Sequence, residues 1–302
     1  MTLSIPRAVY FAAGAAMIGL VVVPTEEAFA TGLSTAELVT GRLFWGALAV
    51  IGVCRLNRGA VPIQRTPREH LSLLRNGLLI GWATIFLYSL ALKTNDVTPV
   101  IVTLVGTSAV VGFLVETSGR LRLEHVFILT SVLVALIATI LSAHNARAEV
   151  SWTLSAAVLS GVIYGLLPVL LRGRESDEDL TSVGWYLTYG CVIAAALALL
   201  TTDTTIAGLL EAAGNGDVIL AGAVGTGLGY ALLQLGVAHG DDGREPLSPG
   251  VAGILYGFEP ITAIVAAALW LRQPISPETM FFSCAFLMLA FSAGSVLKAR
   301  VD

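Results

Sequence analysis

Apolar residues in this chain fall into ten long runs, at roughly 7–24, 35–54, 70–92, 98–116, 125–143, 152–171, 182–201, 217–238, 248–270 and 277–297. A helix needs about 20 mostly apolar residues to cross a bilayer, and each run meets that length or nearly so. Transmembrane β-strands would instead alternate apolar and polar residues over segments of about 10, and these runs are continuous. The pattern predicts an all-α integral membrane protein of ten transmembrane helices. The short connections leave no room for a separate soluble domain.

Composition agrees with the pattern. Of the 302 residues, 56% are hydrophobic and 13% charged, against about 25% charged in an ordinary soluble domain. The mean hydropathy is +0.82. A chain so poor in charge cannot cover a water-facing surface, which excludes a soluble enzyme and a disordered segment. A net charge of -4 offers no basic field to phosphates, so no nucleic-acid partner is expected. Three cysteines, an odd number, exclude a disulfide framework. Cys54, Cys191 and Cys284 all lie in apolar runs and read as small buried hydrophobes. His70, His125, His144 and His239 stand singly at helix ends, without the spacing of a metal site. Neither a metal nor a cofactor is expected.

Local signals mark the helix ends. Ser34-Thr35-Ala36-Glu37 and Thr66-Pro67-Arg68-Glu69 read as capping boxes. Thr98-Pro99, Ser248-Pro249 and Ser276-Pro277 place a hydroxyl before a first-turn proline. Arg7, the run to Val23 and Ala28-Phe29-Ala30 together imitate a signal peptide, but the repeat described below needs this segment as the first helix. Charge then sets the orientation. With the N-terminus inside, 13 of the 17 Lys and Arg residues fall on the cytoplasmic side and three outside, Arg42 remaining within the second run. Such a bias is the positive-inside signature and predicts both termini cytoplasmic.

The runs also repeat. Residues 1–143 hold five and residues 144–302 five more. Gly77-Leu78-Leu79-Ile80-Gly81-Trp82 in the third run corresponds to Gly222-Ala223-Val224-Gly225 in the eighth, Ser89-Leu90-Ala91-Leu92 to Gln234-Leu235-Gly236-Val237, and Thr98-Pro99 to Ser248-Pro249. Because five is odd, the second copy enters the membrane from the opposite side. Inverted repeats are a device of secondary transporters, which hold substrate near the midplane between the halves.

Three segments resemble the drug/metabolite transporter superfamily, EamA type. They are Gly41-Arg42-Leu43-Phe44, the eighth-run sequence from Gly225 to Gln234, and the ninth-run sequence from Gly253 through Phe258-Glu259-Pro260 to Leu271. The resemblance spans both halves. It implies a ten-helix bundle whose central cavity is built mainly from helices 1–4 and 6–9. It also implies transport of small metabolites, often as export. One departure is Gln273-Pro274 in the turn after the ninth run, where the family usually has a glutamate.

The candidate cavity residues follow from polarity in apolar surroundings. Glu259 sits near the middle of the ninth run, where a carboxylate costs a few kcal/mol unless paired, hydrogen-bonded or protonated. Because it belongs to a signature shared across differing substrates, an architectural role is favoured over a coupling role. Arg42 is the one basic residue well inside a run; an anionic group, Glu37 or Glu259 are its possible partners, and partial snorkelling is open to it. Tyr230 and Gln234 share a helix face at i and i+4, their repeat counterparts being Ile85 and Ser89, with Trp82 a turn earlier. Trp185 and Tyr189 repeat the spacing in the seventh run, and Tyr256 stands beside Glu259 in the ninth. Aromatic residues near helix ends also serve as interfacial anchors. The glycines of the eighth run read as close helix packing. Gly225-Thr226-Gly227 is no dinucleotide fingerprint, since Tyr230 stands where the third glycine should fall.

The expectation is a secondary transporter, working outward as an exporter, for small metabolites such as amino acids or drug-like compounds, by alternating access without covalent chemistry. Its partners are a small-molecule substrate, membrane lipid and, as coupling ion, the proton. The rival is an integral-membrane enzyme acting on a lipid or isoprenoid, for which the Asp241-Asp242 pair is the one acidic motif. Ala and Gly richness, with arginine far in excess of the two lysines Lys93 and Lys298, points to a GC-rich prokaryote and its cytoplasmic membrane.

Overall fold

The computed structural model describes residues 7–58, 65–116, 130, 153–171, 180–237, 247, 251–252, 255–273, 277, 281 and 284. Most of the fifth and tenth predicted spans, the C-terminus predicted to be cytoplasmic, Asp241-Asp242, His125, His144, His239, and the Ser248-Pro249 and Ser276 caps lie outside the described residues.

Among the described residues all regular structure is helical. The helices are α1 (Arg7–Leu20), α2 (Val22–Ala30), α3 (Thr35–Arg58), α4 (Pro67–Asn76), α5 (Thr84–Leu92), α6 (Val97–Glu116), α7 (Leu154–Leu171), α8 (Leu180–Thr201), α9 (Ile206–Gly214), α10 (Gly216–Leu220), α11 (Gly229–Val237) and α12 (Phe258–Trp270). Among the described residues, six stretches are long and apolar enough to cross a membrane: Arg7–Ala30, Thr35–Leu56, Pro67–Leu92, Val97–Val115, Leu180–Thr201 and Gly216–Val237. Leu154–Gly165 and Phe258–Trp270 are shorter apolar helices. Large apolar side chains face outward along these helices, Leu56 at 89% and Leu200 at 81% exposure among them. Acyl chains can cover such a surface and water cannot do so cheaply.

Two spans carry wide turns at corresponding places. A π-helical segment, Gly77–Ala83, joins α4 to α5, and another, Ala221–Leu228, joins α10 to α11. These are the two glycine-bearing stretches that the repeat pairs. At each a threonine hydroxyl donates to a carbonyl five residues back: Thr84 Oγ1, just after the first, to Leu79 O at 3.0 Å, and Thr226 Oγ1, within the second, to Ala221 O at 3.1 Å. Such π segments are uncommon and concentrate at functional sites.

The helix contacts come in matching pairs. α3 lies along α8 at the centre. α3 also packs on the second π segment, as α8 packs on the first. α1 packs on α11, as α7 packs on α5; α1 packs on α12, as α7 packs on α6. Both predicted capping boxes form. Ser34 N donates to Glu37 Oε2 at 2.9 Å while Glu37 N donates to Ser34 Oγ at 3.2 Å. Thr66 and Glu69 make the same reciprocal pair. Thr98 is not a cap: α6 starts one residue earlier, at Val97, whose N–H donates to Gln273 Oε1 at 3.2 Å. The glutamine that departs from the family pattern thus still holds the start of α6, using its amide oxygen.

The cysteines correct a sequence expectation. Cys54 is buried, but Cys191 is only half-buried and Cys284 is exposed. An apolar run does not reveal which of its faces meets lipid.

Close approach decides where glycine is needed. A Cβ on Gly222 would lie 2.7 Å from the Arg42 carbonyl oxygen and 2.7 Å from Trp45 Cβ, whereas one on Gly52 would meet nothing within 4 Å. Gly222→Ala is therefore expected to destabilise the protein by about 1–3 kcal/mol through overpacking. Gly52→Ala, in the interior of α3, should be neutral or stabilise by up to about 1 kcal/mol. Melting of the purified variants in one detergent checks the contrast.

Candidate functional site

Arg42 lies two turns into α3 at 2% exposure. It does not snorkel, and it does not pair with Glu37, whose carboxylate is occupied at the Ser34 cap. Its guanidinium is surrounded by hydroxyls. Nε and Nη2 donate to Thr226 Oγ1 at 3.4 and 3.3 Å, and Nη1 reaches Thr25 Oγ1 and Ser89 Oγ at 3.5 Å each. Thr25 comes from α2, Ser89 from α5 and Thr226 from the second π segment. Because Thr226 passes its own proton to Ala221 O, the π turn and the guanidinium form one polarised chain.

Glu259 occupies a different position from the one its sequence context predicts. The ninth run is interrupted by a turn at Tyr256 and Gly257, so Glu259 stands in the first turn of α12 and not in the middle of a continuous helix. A helix start favours a carboxylate electrostatically. Pro260 fits here, because first-turn N–H groups have no intrahelical partner. The Glu259 side chain is 1% exposed.

Arg42 and Glu259 line one small cavity of about 20 Å³, together with Ile18, Thr84, Ile85, Tyr88, Leu104, Tyr164, Gly225 and Tyr230. That is room for about one water molecule. No hydrogen bond links the two charged side chains; every acceptor of Arg42 is a hydroxyl. Glu259 Oε2 is buried without a hydrogen-bond partner, as are the hydroxyls of Tyr88 and Tyr164, although Tyr164 lies beside the carboxylate. A buried polar group left unsatisfied costs about 1–3 kcal/mol. Three of them around one cavity form a set that an entering polar molecule can satisfy.

The predicted candidates divide accordingly. Arg42, Tyr230 and Glu259 meet at the cavity, and Ser89 contacts it through Arg42. Gln234 is buried at 3% exposure one turn beyond Tyr230. Tyr256 backs the cavity: its ring packs 4.2 Å from Tyr164 and 4.9 Å from Phe11, and its hydroxyl donates to Tyr164 O at 3.4 Å. Trp82 stacks on Phe86 and lines a separate hollow with Ala36 and Ala198. Trp185 and Tyr189 are gathered around His70, whose Nδ1 is 2.8 Å from Tyr189 Oη, between α4 and α8. Neither aromatic lines the central cavity. Thr25, Thr84, Tyr88, Tyr164 and Thr226 are the residues the sequence reading missed. Among the described residues no group of three or more His, Cys, Asp and Glu is placed to hold a metal.

A bundle of membrane-length apolar helices closed over a buried charged cavity defines an integral, multi-pass membrane protein with a polar centre. Residues 151–293 match the model of the EamA-like transporter family, which is the type of family that the sequence resembles. A solved structure titled only "Crystal structure of protein" superposes with a TM-score of 0.63 at 15% identity, covering 95% of this chain and 98% of that one; the likeness is one of fold. No curated protein matches the sequence.

Thr226→Val keeps the shape of residue 226 but leaves buried guanidinium N–H groups without an acceptor. It is expected to cost about 1–3 kcal/mol, and Thr226→Ser should restore most of that. In an Arg42→Met background the valine substitution should cost distinctly less, a coupling that a double-mutant melting cycle measures.

Proposed function

We propose that this protein is a secondary transporter that exports small metabolites, amino acids or drug-like compounds, by alternating access across the bacterial cytoplasmic membrane. The observation that carries the reading is the central cavity, lined by Arg42 and Glu259 from opposite halves of the chain together with Tyr88 and Tyr164, whose hydroxyls are buried without a hydrogen-bond partner. A polar molecule bearing both a donor and an acceptor suits such a lining. The cavity of about 20 Å³ is far below the roughly 300–1,000 Å³ of a ligand pocket, so binding requires the helices to part. A state closed at the centre is one that an alternating-access cycle must pass through.

The paired helix contacts and the paired π segments support two inverted repeats, 1–143 and 144–302. Exchange of one packing arrangement for its counterpart in the other half then opens the cavity to one side and closes it to the other. Both termini are cytoplasmic in this reading. The interrupted ninth span, with Glu259 at a helix start near the cavity, is the broken-helix feature from which transporter sites are commonly built.

Glu259 is buried at the cavity, and its Oε2 has no hydrogen-bond partner there. We therefore assign Glu259 the coupling role, carrying a proton against the substrate. In proteoliposomes screened with amino acids, nucleosides and cationic drugs, one class should move faster when a pH gradient is imposed. Glu259→Gln should keep substrate exchange and lose the response to the gradient. A glutamine variant that still responds removes the coupling role, and failure of every substrate class to move removes the transporter reading.

A further inference from the structure

The paired helix contacts extend to single residues. A Cβ added to Gly222 in the second π segment would lie 2.7 Å from Arg42 O and 2.7 Å from Trp45 Cβ. One added to Gly77 in the first would lie 2.7 Å from Tyr186 O and 2.7 Å from Tyr189 Cβ. Tyr186 in α8 therefore stands toward the first π segment as Arg42 in α3 stands toward the second. Trp45 and Tyr189 match as well. Trp45 Nε1 donates to Ala213 O at 2.7 Å, and Tyr189 Oη lies 2.8 Å from His70 Nδ1. Each ring is thus tied to a residue a short way before the π segment it faces.

The match fails at one point. A Cβ on Gly46 would meet Thr226 and Gly222, and one on Gly190, its counterpart in α8, would meet Gly81 and Gly77. Gly81 thus occupies the place of Thr226. Thr226 gives Arg42 a hydroxyl acceptor, and Gly81 has none to give Tyr186. Tyr186 is 1% exposed, and its hydroxyl is buried without a hydrogen-bond partner. Its ring packs edge-on against Tyr230, with centroids 6.4 Å apart at 82°, and Tyr230 lines the central cavity. Phenylalanine would fill the same space without burying an unpaired hydroxyl, so packing alone gives no reason for the phenol.

We propose that Tyr186 is a substrate-binding residue. When the helices part, its hydroxyl bonds to a polar group of the substrate, as the counterpart in the second half of the chain to the Arg42 guanidinium in the first. Helices α3 and α8 are antiparallel: Cys191 Sγ donates to Thr40 O at 3.7 Å, and a Cβ on Gly184 would meet Ile51. Arg42 and Tyr186 therefore lie at different depths. A substrate that meets both carries an anionic group for Arg42 and, at its other end, a hydroxyl, carbonyl or amide for Tyr186. The assignment rests on the reading of the central cavity as the transport site.

Tyr186→Phe tests it in two readouts. The purified variant should melt no lower than wild type, since the hydroxyl has no bond to lose. In proteoliposomes given the amino acid, nucleoside or cationic drug that wild type exchanges, KM should rise about three- to tenfold, the worth of one hydrogen bond, with kcat little changed. The rise in melting temperature that the same compound produces should shrink in parallel. Tyr189→Phe, which removes a phenol one turn along the same helix, should melt lower through loss of the His70 contact and keep the wild-type KM. An unchanged KM in Tyr186→Phe overturns the assignment and leaves the transport reading in place. A lower melting temperature in that variant also overturns it, because the hydroxyl would then have a partner in the fold. So does an equal rise in KM in Tyr189→Phe, which would mark the effect as one of packing. If wild type moves none of the compounds, the transport reading falls and the assignment with it.

Discussion

One guanidinium in the apolar interior organises this molecule. Arg42 has no carboxylate within hydrogen-bonding reach, so its burial is tolerated only while the hydroxyls of Thr25, Ser89 and Thr226 stay around it. Those residues come from three other membrane segments. The requirement to hydrate one charge without water therefore fixes the mutual positions of four spans. Thr226, which accepts from Arg42, also donates to Ala221 O and so ties the guanidinium to the second π turn. Glu259 stands across the same cavity without the ion pair that would settle both charges. The centre is consequently polar, unsatisfied and closed, a combination that invites a ligand.

Much of the fold was legible in the sequence because lipid imposes a simple rule. Continuous apolar runs near 20 residues long have few alternatives to a membrane-crossing helix, and seven of the ten predicted runs coincide with described helices over most of their length. The capping boxes at Ser34 and Thr66 were equally readable, since their chemistry is local. The ninth run was misread as unbroken because Tyr256 and Gly257 are apolar enough to sit inside a helix; only Gly257 and Pro260, read together, hinted at the turn.

The site was legible where polarity was conspicuous and not elsewhere. Arg42, Tyr230 and Glu259 stand out against apolar neighbours and do meet. Trp185 and Tyr189 have the same i, i+4 spacing as Tyr230 and Gln234, yet they pair with His70. Spacing places residues on one face of a helix and is silent on which neighbour that face meets. The threonines escaped notice for a different reason. A threonine in a helix can satisfy its hydroxyl on its own backbone, so its sequence carries no sign that Thr226 also serves Arg42. The π segments are similarly hidden, since glycine-rich apolar stretches read as close packing in either helical form.

Alternating access requires the Arg42–Glu259 cavity to be reached from each side of the membrane in turn. Labelling of a single cysteine at Ser89, beside Arg42, measures this most directly, with Cys54, Cys191 and Cys284 replaced and an impermeant maleimide added to one face or the other of sealed vesicles. The account predicts labelling from both faces, with reactivity at one face suppressed when substrate holds the cavity open to the other. Labelling from one face alone, under every substrate condition, would contradict it.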